Sequence, residues 1–265
     1  MPELPEVEVA ARALRRWLVG TPIAQVRTKR SNVVASRLGA LRGQTCSGVE
    51  RRGKWLRISF DATTLFSHLG MTGKWVERAV SDRALAHEHA VFTLAERSVR
   101  YVDPRAFGRL VLAKSELPAW TALGPDPLLD GVDPARLRGR RAIKDVLLDQ
   151  SVLAGIGNIQ ATEALFRARI HPERTANHLS DAERTALAGG IAWTLERTLA
   201  LEDGTEITYL GEKDSENPFV VYGRAGEPCP SCERALERIV QAGRTSRKRS
   251  RCARATASRS AASRR

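Results

Sequence analysis

The sequence predicts an α+β chain of more than one domain. An N-terminal helix and a β-sandwich come first, a helical domain with a helix-turn-helix element follows, and a small finger-like β-hairpin ends the chain. Three observations carry this. The chain has 265 residues, enough for two medium domains with buried cores. The apolar pattern is helical near the N-terminus, becomes a series of short β-rich runs, and turns helical again. A Leu123-Gly124-Pro125-Asp126-Pro127-Leu128 stretch separates the last two regimes, and its two prolines and glycine forbid regular structure.

Leu4 to Val19 reads as a helix, with Val7, Ala10, Ala11, Leu14 and Leu18 on one broad stripe. From Thr21 to about Ala113 the β-rich runs are Ile23–Thr28, Trp55–Phe60, Thr64–Leu69, Ala90–Leu94, Val99–Val102 and Arg109–Leu112. Turn signals such as Gly73-Lys74 and Asp103-Pro104 divide them, which predicts a pair of packed sheets. Asp133-Pro134 is an N-cap and first-turn pair. Ala142–Gln150 and Asn158–Arg167 read as helices joined through a tight Gly155-Ile156-Gly157 turn. Ser180-Asp181-Ala182-Glu183 is a capping box that opens a helix to about Leu199. Residues 205–222 read as irregular to extended, and a β-hairpin module starts at Cys229. The expected domains are 1–120, 121–222 and 223–265, the last including a basic tail.

The chain carries 43 Lys and Arg against 30 Asp and Glu, a formal net charge of +13. That balance favours a polyanionic partner, nucleic acid or an anionic membrane surface. Nine of the excess positive charges sit in residues 244–265, which contain no acid. No signal peptide and no run of 18 apolar residues is visible, so the expected location is cytoplasmic, with no membrane partner. The four cysteines are Cys46, Cys229, Cys232 and Cys252. They are too few and too clustered for a disulfide framework, and Cys229-x-x-Cys232 reads as half a metal site.

The first octet, Met1-Pro2-Glu3-Leu4-Pro5-Glu6-Val7-Glu8, has two readings on its own. Prolines and acids in a first helical turn are ordinary. Removal of Met1 would instead expose Pro2 as a secondary amine. An α-amino group titrates near pH 8, about two units below a lysine, so much of it is nucleophilic at neutral pH. Attack on a sugar carbon gives an iminium ion that promotes C–O cleavage. Glu3, Glu6 and Glu8 offer three carboxylates within reach. Further along, Gly155 and Gly157 let backbone approach a phosphate, and the start of the second helix can bind anions. Arg51-Arg52-Gly53-Lys54-Trp55, His68-Leu69-Gly70-Met71-Thr72-Gly73 and Asp103-Pro104-Arg105-Ala106-Phe107-Gly108 each read as structural turns in isolation. Together they supply cations for a distorted backbone and apolar wedges for a vacated base stack.

These segments, with Leu147-Leu148-Asp149-Gln150, Gly155-Ile156-Gly157-Asn158 and Val221-Tyr222-Gly223-Arg224, resemble the formamidopyrimidine-DNA glycosylase family from Pro2 to about Arg244. The Pro2-Glu3-Leu4-Pro5-Glu6 opening favours this branch over the endonuclease VIII branch. The resemblance implies a helix-two-turn-helix in the helical domain and a glycosylase and abasic-site lyase acting on oxidised purines in duplex DNA. It implies a monomer, at the nucleoid, using no redox cofactor. Pro2 would attack C1′, Glu3 would protonate the sugar ring oxygen, and Lys54 would lie near the substrate phosphate and sugar. His68, Asn158, Tyr222 and Arg244 would grip phosphates. Met71, Arg105 and Phe107 would fill the stack, with Arg105 facing the orphaned cytosine. Glu6 and Glu163 would border the lesion pocket.

The chain departs from the family pattern in three places. A structural zinc finger needs four ligands, and the expected second Cys pair falls at positions 249 and 252. Cys252 is present, but Arg249 stands where the fourth thiolate belongs, leaving Cys229, Cys232 and Cys252. The stretch from Thr205 to Phe219 is compact and acidic where the family has a longer glycine-rich capping loop. Gln160 and Thr162 replace a common Tyr and Asn. The same chemistry on oxidised pyrimidines or hydantoins, a non-catalytic damage-binding protein, and a basic architectural DNA protein are the competing readings. The retained Pro2, Glu3 and Lys54 argue for an enzyme.

Overall fold

The computed structural model describes residues 2–29, 31–201, 204, 206, 207 and 217–237. The chain divides into two compact units, Met1–Leu123 with Glu202–Ser215 and Gly124–Leu201 with Glu216–Arg265.

The first unit opens with helix α1, Leu4–Leu18, whose apolar stripe is buried throughout. Eight strands follow: β1 Gln25–Thr28, β2 Cys46–Arg52, β3 Trp55–Phe60, β4 Thr64–His68, β5 Lys74–Ala79, β6 Glu88–Thr93, β7 Arg97–Val102 and β8 Arg109–Ala113. They form two antiparallel four-stranded sheets in the orders β1-β6-β7-β5 and β2-β3-β4-β8. The sheets meet through large inward side chains, as alternation in half-buried strands requires. Trp75 of β5 stacks edge-on to Tyr101 of β7, and its indole N–H donates across the interface to Ser67 Oγ of β4 at 3.1 Å. Tyr101 likewise donates from its hydroxyl to the His68 carbonyl at 3.3 Å.

Two of these strands, β2 and β5, lie outside the runs read from sequence. Their stretches, Cys-Ser-Gly-Val-Glu-Arg-Arg and Lys-Trp-Val-Glu-Arg-Ala, carry too many charges to alternate cleanly. The Gly73-Lys74 turn signal is correspondingly the entrance to β5.

The second unit is helical: α3 Ile143–Leu148, α4 Asn158–Arg167 and α5 Asp181–Leu201, after a one-turn α2 at Pro118–Thr121 in the first unit. The expected capping box is present at the head of α5. The Ser180 N–H donates to Glu183 Oε2 at 2.8 Å, and the Glu183 N–H donates to Ser180 Oγ at 3.2 Å. Asp133 caps a short 3₁₀ turn by accepting from the Ala135 N–H at 2.9 Å. Among the described residues no helix is long and apolar enough to cross a membrane.

Candidate functional site

In the first unit the candidate residues gather at the head of α1 and at one end of the β2-β3-β4-β8 sheet. Pro2 and Glu3 are buried just ahead of α1, Glu3 completely. Glu3 is the N-cap, and its N–H donates to Glu6 Oε2 at 2.8 Å, so Glu6 folds back over the helix start. Glu8 has a different use. Its carboxylate accepts from Arg51 Nε at 2.8 Å and Arg12 Nε at 3.0 Å, with Arg15 at 3.6 Å. These cations outweigh the cost of burial and hold its carboxyl below the usual range. Glu8, one of the three carboxylates of the first octet, is thus held in a structural ion-pair cluster. Arg51 is buried, and its second arm reaches the Gly53 carbonyl at 3.3 Å. The guanidinium therefore ties the β2–β3 turn, which presents half-buried Lys54, to the second turn of α1.

His68 ends β4, opposite Trp55 on one side and Arg109 on the other. The Gly70 N–H donates to its Nδ1 at 3.1 Å. Burial, with the Lys54 and Arg109 cations nearby, pushes its pKa down to about 4. His68 is a neutral imidazole at physiological pH. With Nδ1 accepting, the proton sits on Nε2, which is a donor suited to a phosphate oxygen.

Two loops follow this edge and pack against each other. A Cβ built on Gly70, which has φ of +66°, would lie 2.5 Å from Gly108 N and from Phe107 C, so only glycine permits the approach. Met71 is thereby set beside the loop carrying Arg105 and Phe107. That second loop is organised by Asp103, which is fully buried. Its carboxylate accepts from the Gly108 N–H at 2.7 Å, the Arg105 N–H at 3.3 Å and the Thr72 hydroxyl at 2.6 Å. Ala106 adopts a left-handed φ of 54° at the loop tip. Phe107 remains 54% exposed, with the Arg105 guanidinium 4.9 Å from its ring centroid. Phe107 is thus a large exposed aromatic beside an arginine, on a turn held from beneath.

In the second unit the α3–α4 connection is pinned by Gln150. Its amide donates to the Leu148 and Ile156 carbonyls at 3.0 and 2.9 Å, and its oxygen accepts from the Gly155 N–H at 2.8 Å. Gly155 has φ of +94°, and Gly157 is the N-cap of α4, so half-buried Asn158 is the first helical residue. The two departures on α4 are both used in helix packing. Thr162 Oγ1 accepts from buried Lys144 Nζ at 3.0 Å, and Gln160 Nε2 donates to Thr198 Oγ1 of α5 at 3.0 Å.

Glu163 is where sequence reading missed a role. It is 5% exposed and accepts from three consecutive backbone N–H groups: Val220 at 2.8 Å, Val221 at 2.9 Å and Tyr222 at 2.7 Å. It thereby joins α4 to the segment carrying Tyr222. The contact spans 57 to 59 residues and leaves no local signal.

Cys229 and Cys232 lie on the turn of a hairpin closed by the Pro228–Ala235 bridge. Cys229 is buried against Val221 and Leu236, with Phe166 and Val220 packed alongside, while Cys232 is exposed. Among the described residues no group of three or more His, Cys, Asp or Glu could hold a metal ion. Arg244, Arg249, Cys252 and most of the capping stretch from Thr205 lie outside the described residues.

Residues 1–110 match the formamidopyrimidine-DNA glycosylase N-terminal domain, and residues 123–209 match the formamidopyrimidine-DNA glycosylase H2TH domain. The formamidopyrimidine-DNA glycosylase of Desulfitobacterium hafniense is 40% identical over 265 residues, covering 92% of this chain and 97% of that protein. That of Geobacillus kaustophilus is 38% identical, covering 96% and 100%. Among solved structures, a mutant Lactococcus lactis enzyme in complex with a Fapy-dG containing DNA superposes with a TM-score of 0.84 at 31% identity, covering 95% and 99%. The Lactococcus lactis enzyme with an abasic site containing DNA gives 0.81 at 32%, covering 91% and 96%.

Proposed function

This chain belongs to the formamidopyrimidine-DNA glycosylase family, and from that premise we propose that it removes oxidised purines from damaged duplex DNA and then cleaves the strand at the abasic site. The observation that carries the reading is the Pro2-Glu3 pair, buried at the head of α1 on a chain 40% identical to a named glycosylase over 92% of its length.

The chemistry is what membership of the family implies for these residues. Once Met1 is removed, the Pro2 nitrogen attacks C1′ of the damaged nucleotide. The bond from C1′ to the base breaks and the base leaves with a proton. Glu3 protonates the ring oxygen, the sugar opens, and an iminium ion links Pro2 to C1′. Loss of the C2′ proton expels the 3′ phosphate, and a second elimination expels the 5′ phosphate. Water then hydrolyses the iminium and frees the amine. Lys54 and neutral His68 hold the adjoining backbone, Asn158 and Tyr222 hold it from the helical unit, and Met71, Arg105 and Phe107 occupy the emptied stack.

The C-terminal module is an incomplete finger. The resemblance implies a structural zinc ion. Two thiols on one hairpin fit half of such a site, but the C-terminal module supplies only Cys229, Cys232 and Cys252, with Arg249 at the fourth position. The residues do not complete a tetrahedral set, and no step of the reaction is routed through a metal. Purified protein should contain well under one zinc per chain by elemental analysis. A value near one would overturn this part of the reading.

Borohydride trapping tests the enzyme. Duplex carrying 8-oxoguanine opposite cytosine, and duplex carrying an abasic site, should each give a covalent adduct of one chain per strand. Failure with both would leave a damage-binding protein without turnover.

A further inference from the structure

We infer that Glu163 is a positioning residue that holds the phosphate-gripping segment of the helical unit to α4, and not an acid of the lesion pocket. The inference rests on the proposed roles of Asn158 and Tyr222.

Three consecutive amides converge on one carboxylate, Oε2 taking the Val220 N–H and Oε1 those of Val221 and Tyr222. A run of backbone N–H groups of this kind is a ready-made anion cradle. Here it is filled by the chain's own side chain, at distances normal for charge-assisted bonds. The segment has its own internal bonds, and Arg197 of α5 donates to the Pro218 carbonyl at 3.1 Å. Asn217 Nδ2 donates to the Tyr222 carbonyl at 2.8 Å, and Arg224 donates to the Phe219 and Asn217 carbonyls at 2.7 and 2.9 Å. Glu163 is its polar tie to α4, beside the apolar contact that Val221 makes with Cys229 and Leu236.

The helix turns this tie into a ruler. Asn158 and Glu163 are five residues apart on α4, about 7–8 Å along its axis. Fixing 220–222 to Glu163 therefore fixes the distance between the Asn158 and Tyr222 grips. Three amides also offset a negative charge that would otherwise repel phosphate, which accounts for an acid being tolerated on this part of a DNA-binding unit.

The test uses the full-length protein and a duplex containing a tetrahydrofuran abasic analogue. Glu163→Gln keeps one oxygen for Val221 and Tyr222 but turns an NH2 toward the Val220 N–H, and should raise Kd three- to tenfold. Glu163→Ala should raise it further; if that variant does not fold, Glu163→Gln decides. The ratio of 8-oxoguanine excision to cleavage at a preformed abasic site, measured in single turnover at saturating enzyme, should stay within twofold of wild type. Tyr222→Phe should weaken binding similarly, and the double variant should be no more than about twofold worse than the weaker single variant. A fivefold change in the excision ratio with Kd unaltered would assign Glu163 to the pocket and overturn the inference. Additive losses would overturn it as well. Wild-type affinity in both Tyr222→Phe and Asn158→Ala would instead remove the grip itself, and the inference with it.

Discussion

Asp103→Ala should destabilise the first unit by about 3–4 kcal/mol, and Asp103→Asn by only about 1 kcal/mol. The difference follows from which donors the carboxylate serves. Hydrogen bonds to charged groups contribute about 1.5–3 kcal/mol each, and a buried donor left unmade costs about 1–3 kcal/mol. The Gly108 N–H is buried and loses its partner outright in the alanine variant. The half-buried Thr72 hydroxyl loses a 2.6 Å bond. Arg105 is exposed, so its N–H recovers water at little cost. Asparagine can keep its oxygen on the Gly108 N–H and donate from its NH2 to the Thr72 hydroxyl, which also accepts. Only the exposed Arg105 bond is then lost. Urea denaturation gives both values. Because Asp103 also sets the loop under Phe107, the alanine variant should bind abasic-analogue duplex at least tenfold more weakly, with asparagine near wild type. Equal costs for the two variants, or an alanine cost under 1 kcal/mol, would refute the assignment of the carboxylate as the loop's anchor.

Three further outcomes are expected. The His68 pKa is lowered to about 4 in the folded protein, against about 6.5 in an unfolded chain. The unfolded state therefore binds the proton first, and stability is full above about pH 6.5 and falls by roughly 3 kcal/mol toward pH 4; the His68 ring resonances should show no titration above pH 5, and an inflection near 6.5 would contradict a neutral donor. Gly70→Ala combines a left-handed φ with a 2.5 Å backbone contact and should cost about 3 kcal/mol. Gly39→Ala, where a Cβ meets nothing within 4 Å, should stay within about 0.5 kcal/mol in the same denaturation series.

Much of this was legible in the chain itself. The α1 stripe, the Ser180 box and the Gly155–Gly157 turn follow local rules, so periodicity and capping chemistry found them. The turns bearing Lys54, Met71 and Phe107 were visible as turn signals. What was not legible depends on partners distant in sequence. Arg51 read as a cation at a strand entrance, yet it is buried against Glu8, 43 residues earlier. Arg51 is one of the charges that hid β2. Trp75 and Val76 are both buried, on opposite faces of β5, and with Lys74, Glu77 and Arg78 around them they leave no alternating pattern to read. Glu163 carried no mark of its amide partners, because backbone donors have no sequence identity.

The central claim is that the reaction proceeds through the secondary amine of Pro2. Peptide mapping of the borohydride-reduced adduct tests it most directly. The account predicts a deoxyribose-derived mass on an N-terminal peptide beginning at Pro2, with Met1 absent. An adduct on Lys54 or any other side chain, or active protein that retains Met1, would contradict it.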